Sequence, residues 1–346
     1  MNTKFGQDEI YSLIFDKDTA YHDFLKRVRR KKRRILMRNI FVATTCAASL
    51  LILFFLHYNY RRNETSDRLT ELALATVQTP EAGSEIQVIL SDQTRYKVDE
   101  KEANLKYGEK GQIALNATKE IIQEPVSTES KETMYNQVVV PYGKKSSITF
   151  ADGTKLWLNA GSRAVYPVEF EKNRREVFID GEAYFEVTKD IDRPFIVKTG
   201  TIDITVLGTT FNVSAYPTEH HIDVVLVSGC VEVGKGNKNA RLYPDHAFTY
   251  DRQTMKQDIY SVDVYDYVCW KDGFLKFNGE TLDNVLRRIE KYYALKVVTN
   301  ESFEQYRITG KLDMKESVED VMRIIAEMAH VRYKIENNKI FINNIP

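Results

Sequence analysis

From Ile40 to Leu56 the chain reads IFVATTCAASLLILFFL, seventeen residues without a charge, a proline or a glycine. A helix that crosses a bilayer needs about 20 mostly apolar residues, and Asn39 to Tyr60 supplies them with Tyr58 and Tyr60 as interfacial anchors. A buried core helix is the rival reading, but the run is apolar all round and a dense basic cluster abuts it. A cleaved signal peptide would have a far shorter region ahead of it and a small-residue site behind it. The expectation is one uncleaved transmembrane helix over residues 39–60.

The flanks orient it. Basic and acidic residues balance at 49 each, yet nine basic residues and no acidic one lie between Lys26 and Arg38, and only Arg61 and Arg62 follow closely. An excess of Lys and Arg marks the cytoplasmic side, so the N-terminus is expected in the cytoplasm and everything beyond about Tyr60 outside the cytoplasmic membrane. Topology accounts for the basic run, and no nucleic-acid partner is called for.

Residues 1–38 hold two short amphipathic patterns at helical spacing. Ile10, Leu13 and Ile14 form one. Tyr21, Phe24, Leu25 and Val28 form the other, with Asp16, Asp18 and Thr19 between them to cap it. So short an arm buries no core of its own. It orders on a partner, on the membrane surface, or as a peptide folding on binding, and a purely topogenic tail is the alternative.

Beyond a polar, helix-compatible linker over 61–83, the pattern turns to period two. Ile86, Val88 and Leu90 alternate with polar residues, and a turn at Ser91-Asp92-Gln93 leads into Arg95–Val98. Val88–Asp99 (VILSDQTRYKVD) aligns with Ile148–Asn159 (ITFADGTKLWLN), a weak internal repeat built around a turn with Asp and Thr in common. Glu120–Asn136 between the copies reads as a loop. From Val138 to Val264 short strands recur, among them Glu176–Ile179, Ala183–Val187, Phe195–Lys198, Ile202–Val206, Thr210–Ala215, Ile222–Val227 and Val231–Val233, punctuated by glycines. Residues 84–264 are therefore expected to form an antiparallel β roll or sandwich.

Residues 265–346 change character. A strand near Phe274–Phe277 precedes a helix with the stripe Leu282, Val285, Leu286, Ile289 and Tyr293. Strands at Lys296–Thr299 and Arg307–Leu312 precede a second helix with Val318, Val321, Met322, Ile325 and Met328, capped by Ser317 or started from Asp313, and strands at Arg332–Glu336 and Lys339–Ile342 close the chain. The order β-α-β-β-α-β-β is a small α+β module. The whole is mostly β with an α+β end.

Chemistry is scarce. No phosphate loop, zinc-protease helix or nucleophile elbow occurs. His220-His221 is the only histidine pair, and strand neighbours face opposite ways, so exposed histidines are expected rather than a metal site. Glu182 and Glu186 share a strand face as a solvated pair would, and no cofactor is implied. Cys230 and Cys269 allow a disulfide or two buried thiols. Gly208-Thr209 has two readings: a strained turn whose hydroxyl attacks the preceding carbonyl in an N→O acyl shift, or a glycine supplying positive φ before a β-favouring threonine.

Four stretches in order point to a family: VPYGKKSSITFADGTKLWLNAGSRAVYP (Val140–Pro167), FIDGEAYFEVTKD (Phe178–Asp190), RPFIVKT (Arg193–Thr199) and VLGTTFNVSAY (Val206–Tyr216). They resemble the FecR family of bacterial transmembrane anti-sigma regulators, the Bacteroidetes type above all, where WKDGFLKFNGETLDNVLRRIEKYYAL also matches. The C-terminal module looks like a secretin/TonB short N-terminal-type domain. The resemblance implies that a TonB-dependent outer-membrane transporter presents a periplasmic signalling domain to this chain. Periplasmic and intramembrane proteolysis would then free an extracytoplasmic-function sigma factor held by the arm through Ile10, Leu13, Ile14, Tyr21, Phe24, Leu25 and Val28. Gly208-Thr209 matches the Gly-Thr junction at which some members cleave themselves. The chain is then no enzyme acting on a substrate. One departure is the arm, which is short for the family. It either suffices for a sigma factor or leaves a membrane-anchored periplasmic binding or scaffolding protein.

Overall fold

The computed structural model describes residues 68–76, 85–108, 112–116, 119–122, 133–235 and 238–344. The expected arm and spanning segment lie outside these, and among the described residues no helix is long and apolar enough to cross a membrane.

Among the described residues a helical segment over 68–75, α1, comes first. The strands that follow are β1 (Ile86–Ile89), β2 (Arg95–Val98), β3 (Glu102–Tyr107), β4 (Gln112–Leu115), β5 (Lys119–Ile122) and β6 (Tyr135–Val140). Next come β7 (Lys145–Thr149), β8 (Lys155–Leu158), β9 (Ser162–Pro167), β10 (Arg175–Glu186), β11 (Phe195–Lys198) and β12 (Asp203–Val206). The set closes with β13 (Thr210–Ala215), β14 (His221–Ser228), β15 (Val231–Lys235), β16 (Lys238–Leu242), β17 (His246–Asp251) and β18 (Gln257–Ser261). Alternating side chains explain most of them: in β3, Ala103, Leu105 and Tyr107 are buried while their neighbours are exposed.

Two sheets result. The first runs β2-β1-β6-β9-β10-β11-β12-β15-β16 and the second β5-β4-β3-β7-β8-β10-β13-β14-β17-β18. β10 belongs to both. The sequence divides this stretch at Asp180-Gly181, expecting a turn, but the structure has one strand. Its first half pairs with β9 and β11, and its second half with β8 and β13. Gly181 makes the corner, with φ +99°, where an added Cβ would lie 2.6 Å from Ser162 Cα. Having turned the corner, the chain returns to add β11 alongside the start of β10, and that pair is parallel. β3 and β7 also pair in parallel, so the sheets are not purely antiparallel as expected.

The core lies between the sheets. Phe185 and Phe211 stack at 4.9 Å on the second sheet, and Phe195 of the first meets Phe185 edge-on at 6.0 Å. The two repeat hairpins bear out the alignment. Leu90 N–H donates to Thr94 O and Phe150 N–H to Thr154 O, both at 2.9 Å, and in each the Asp carboxylate accepts from the Thr N–H two residues on. The expected loop over Glu120–Asn136 is shorter at both ends, because β5 extends to Ile122 and β6 begins at Tyr135. Part of the expected linker is folded too. In α1, Leu69 and Ala73 are buried against Val165 and Phe178 on the outer face of the first sheet.

The C-terminal module follows the expected order. A short helix α2 (Tyr265–Val268) and a 3₁₀ turn (Cys269–Asp272) lead into β19 (Phe274–Thr281), α3 (Leu282–Tyr293), β20 (Lys296–Val298), β21 (Arg307–Asp313), α4 (Val318–Ala329), β22 (Val331–Glu336) and β23 (Lys339–Asn344). β19 pairs with β21, and β23 lies between β20 and β22. The predicted stripes form the core: Leu282, Val285, Leu286 and Ile289 from α3, and Val321, Met322 and Ile325 from α4. Ser317 is the cap of α4, its hydroxyl accepting from Asp320 N–H, while Asp313 accepts from Lys315 N–H in the preceding turn.

Candidate functional site

The outer face of the second sheet presents a cross-strand polar row, Glu182 beside Ser214 beside Asp223 beside Thr249. The C-terminal module lies over this face and leaves a cleft of about 780 Å³ between the two. The sheet wall is acidic, with Glu182, Asp223 and Glu219. The module wall carries Lys276 on β19, Arg287, Arg288 and Lys291 on α3, and Arg307 on β21, with Asp266 and Glu280 paired to Lys276 and Arg288.

The module is held at several points, with Lys271 over the Trp157 and Tyr184 rings and three sets of contacts beside it. The 3₁₀ turn buries Trp270, whose indole N–H donates to Asn212 Oδ1 at 3.2 Å, and Asn212 in turn donates to Glu182 Oε1 at 3.1 Å. Asn159 donates to the other Glu182 oxygen at 2.7 Å. Second, Lys145 donates to Trp270 O at 2.6 Å and lies 5.7 and 5.2 Å from the Trp270 and Tyr292 ring centres. Burial pulls its ammonium pKa down. Third, α3 docks by its end. Lys291 pairs with Glu219 and sits 3.4 Å from the Tyr216 ring centre, and Gly143 N–H donates to Lys291 O at 2.8 Å, satisfying a terminal helix carbonyl. Gly143 has φ +82°, and an added Cβ would be 3.1 Å from Ala294 Cβ.

Burial pushes the Glu182 carboxyl up, against the lowering effect of its Asn partners and of Arg288 and Lys291. Asp223 is raised for the same reason, its charge eased by the Thr249 hydroxyl at 2.5 Å. Glu182 is therefore not the solvated strand residue the sequence suggests. Glu186 is, partly exposed and 3.8 Å from Lys155. His220 and His221 are both exposed, as expected, and among the described residues no group of His, Cys, Asp or Glu is placed to hold a metal. Cys230 and Cys269 are both free, the first exposed and the second buried, so neither the disulfide nor the pair of buried thiols is found.

Gly208-Thr209 joins β12 to β13. Gly208 has φ +155° and packs on Lys189, whose Cα an added Cβ would meet at 2.6 Å. Thr209 is 4% exposed, and its hydroxyl donates to Cys230 O at 2.9 Å. The hydroxyl is thus engaged across the β14–β15 turn. Ile10, Leu13, Ile14, Tyr21, Phe24, Leu25 and Val28 lie outside the described residues.

The family model described as FecR protein matches residues 136–232, and the model described as FecR, C-terminal, matches residues 274–342. Two crystal structures of a candidate anti-sigma factor from Parabacteroides distasonis ATCC 8503 are similar to this chain. They are 32% and 31% identical, cover 61% and 62% of it and 99% and 100% of themselves, and give TM-scores of 0.57 and 0.58. The chain belongs to the FecR family of anti-sigma regulators. No curated protein matches it significantly. The FecR match runs from β6 to β15 and includes Lys145, Glu182, Asn212, Tyr216 and Glu219, while the C-terminal match takes in β19 to β23 with Lys291. Trp270 falls between the two. In the sequence it figures only as the first residue of WKDGFLKF, with no role given to it, although it is one of only two tryptophans.

Proposed function

We propose that this chain is an anti-sigma regulator of a surface-signalling system. On this reading residues 39–60 anchor it in the cytoplasmic membrane, with the N-terminus in the cytoplasm. The arm holds an extracytoplasmic-function sigma factor through Ile10, Leu13, Ile14, Tyr21, Phe24, Leu25 and Val28. The periplasmic signalling domain of a TonB-dependent outer-membrane transporter engages the C-terminal module, and periplasmic and intramembrane proteases then release the sigma factor. The observation behind this reading is the ordered pair of FecR matches, with 32% identity across 99% of a candidate anti-sigma factor chain.

The test is calorimetry with a peptide spanning Met1–Arg38 and the sigma factor encoded beside this gene. Binding at micromolar Kd or tighter, about −8 kcal/mol or better, is expected. A folded sigma factor that gives no heat at high peptide concentration would sink the role of the arm. The reading would then pass to a membrane-anchored periplasmic binding protein, which the polar and aromatic cleft of about 780 Å³ favours.

A further inference from the structure

We infer that the cleft between the second sheet and the C-terminal module is a binding site for a neutral polyhydroxylated ligand, a short oligosaccharide. The inference rests on the cleft alone. It gives a ligand class to the binding alternative, and it holds whether or not the arm carries a sigma factor.

The charges of the cleft are largely compensated already. On the module wall Lys276 pairs with Asp266 at 2.6 Å and Arg288 with Glu280 at 3.0 Å. Lys291 pairs with Glu219 across the cleft. Arg287 and Arg307 have neutral partners, the Asn284 side chain and Gly279 O, and both are exposed. A charged ligand in the interior must break one of the pairs or stand beside a like charge, and desolvated charges make either costly.

The floor accepts and does not donate. Thr249 gives its hydroxyl proton to Asp223 Oδ1 at 2.5 Å, so it accepts from the Tyr260 hydroxyl 3.2 Å away, and Tyr260 accepts from Tyr267 on α2. All three protons go to members of this chain. What remains for a ligand is hydroxyl lone pairs and the Asp223 carboxylate, and an anion finds no donor among them. Both oxygens of Glu182, in the same polar row, are taken by Asn159 and Asn212.

The rings disfavour a cation. Lysine ammoniums already lie against Trp270 and Tyr292 (Lys145), Tyr216 (Lys291) and Phe274 (Lys311, at 4.0 Å). Tyr260 and Tyr267 carry no such ammonium among the described residues. A sugar ring meets both conditions. Its hydroxyls donate to the floor, and its face of C–H groups packs on the electron-rich face of Tyr260 without a charge. The module adds a matching group, because β19 bulges between Phe277 and Glu280 and the exposed Asn278 in the bulge lines the cleft. Its carboxamide donates and accepts, as a sugar hydroxyl does. The volume of about 780 Å³ is ordinary for a small-molecule site.

The test is calorimetry on the full chain, in micelles of a detergent without a sugar headgroup. The probes are cellotetraose, xylotetraose, mannotetraose and maltotetraose, with tetragalacturonate and spermidine as the anionic and cationic counterparts. One or more neutral probes should bind with a Kd of about 1 mM or tighter, and neither charged probe should match them. Tyr260→Ala should weaken that binding about ten-fold. Should this change disturb the module through Tyr267, Asn278→Ala at its exposed site gives a second reading, about three-fold weaker with the circular dichroism unchanged. The inference is overturned if no neutral probe binds at about ten times that Kd limit, if a charged probe binds more tightly, or if both variants bind as the wild type does. Calorimetry on the arm shares none of these readouts, so the failure of either inference leaves the other standing.

Discussion

The β domain has two outer faces, and each is covered in a different way. On the first sheet, α1 seals Val165 and Phe178 with apolar side chains, and its carbonyls accept from Arg163, itself paired with Asp180 on the sheet. On the second, the C-terminal module stands off a polar row and touches it through Trp270, Lys145 and Lys291, leaving the cleft between. The first contact resembles a piece of core, and the second resembles an interface between domains, more polar and bounded by charge. The module also has a complete core of its own in Leu286, Ile289, Met322 and Ile325. Its docking therefore adds orientation rather than foldedness.

The largest effect should fall on the sealed face. Phe178→Ala removes a fully buried ring beneath α1, and such truncations cost about 3–5 kcal/mol. Urea unfolding followed by far-UV circular dichroism should show the β-domain midpoint falling accordingly. A loss below about 1 kcal/mol would mean that α1 and its apolar bed contribute little, and the comparison between the faces would break.

The open face should respond differently. Asn212→Ala leaves the Trp270 indole N–H and one Glu182 oxygen without their partner, at about 1–3 kcal/mol for buried groups. The expected outcome is a looser module on an intact β domain. Trp270 emission moves to the red as the indole meets water, while the far-UV midpoint of the β domain holds. If the whole chain instead loses stability in one cooperative transition as deep as that of Phe178→Ala, the module is part of the fold and not a docked neighbour.

How much of this the sequence showed depends on the range of the interaction. The α3 and α4 stripes and the paired Asp-Thr hairpins are local patterns, and they were legible. Glu182 was not. Strand periodicity places it correctly on the outward face, but only the module brought over that face removes it from solvent. Arg163 was missed for a related reason, since its partners Ala73 and Thr76 are 90 and 87 residues away. β10 was split because Asp180-Gly181 is a good turn signal, and the corner it makes between sheets uses the same positive φ that a hairpin would. The meaning of such a glycine rests on where the strand beyond it pairs.

The smallest expected effect tests the open face through its charge. Burial raises the Glu182 carboxyl in the folded chain, so the folded state holds that proton to higher pH than the unfolded one. Below the ordinary carboxylate range both states are protonated and no penalty exists. As pH rises from there through the raised value, the folded state binds more protons than the unfolded, and stability falls until both are ionised. Arg288, Lys291 and Glu219 face the same space, as do the exposed His220 and His221, and Asp223 is raised in the same direction. Glu182→Gln should therefore flatten the acid-side slope only in part, leaving the shares of Asp223, Glu176 and Glu290, which burial raises too. Trp270 is the probe, because Asn212 bonds both the carboxylate and the indole. Its emission should titrate above the ordinary carboxylate range in the wild-type chain and lose that step in Glu182→Gln. A wild-type titration with no such step would mean that the carboxylate is hydrated and the module already stands away from the sheet, and the two faces would then differ far more than their contacts indicate.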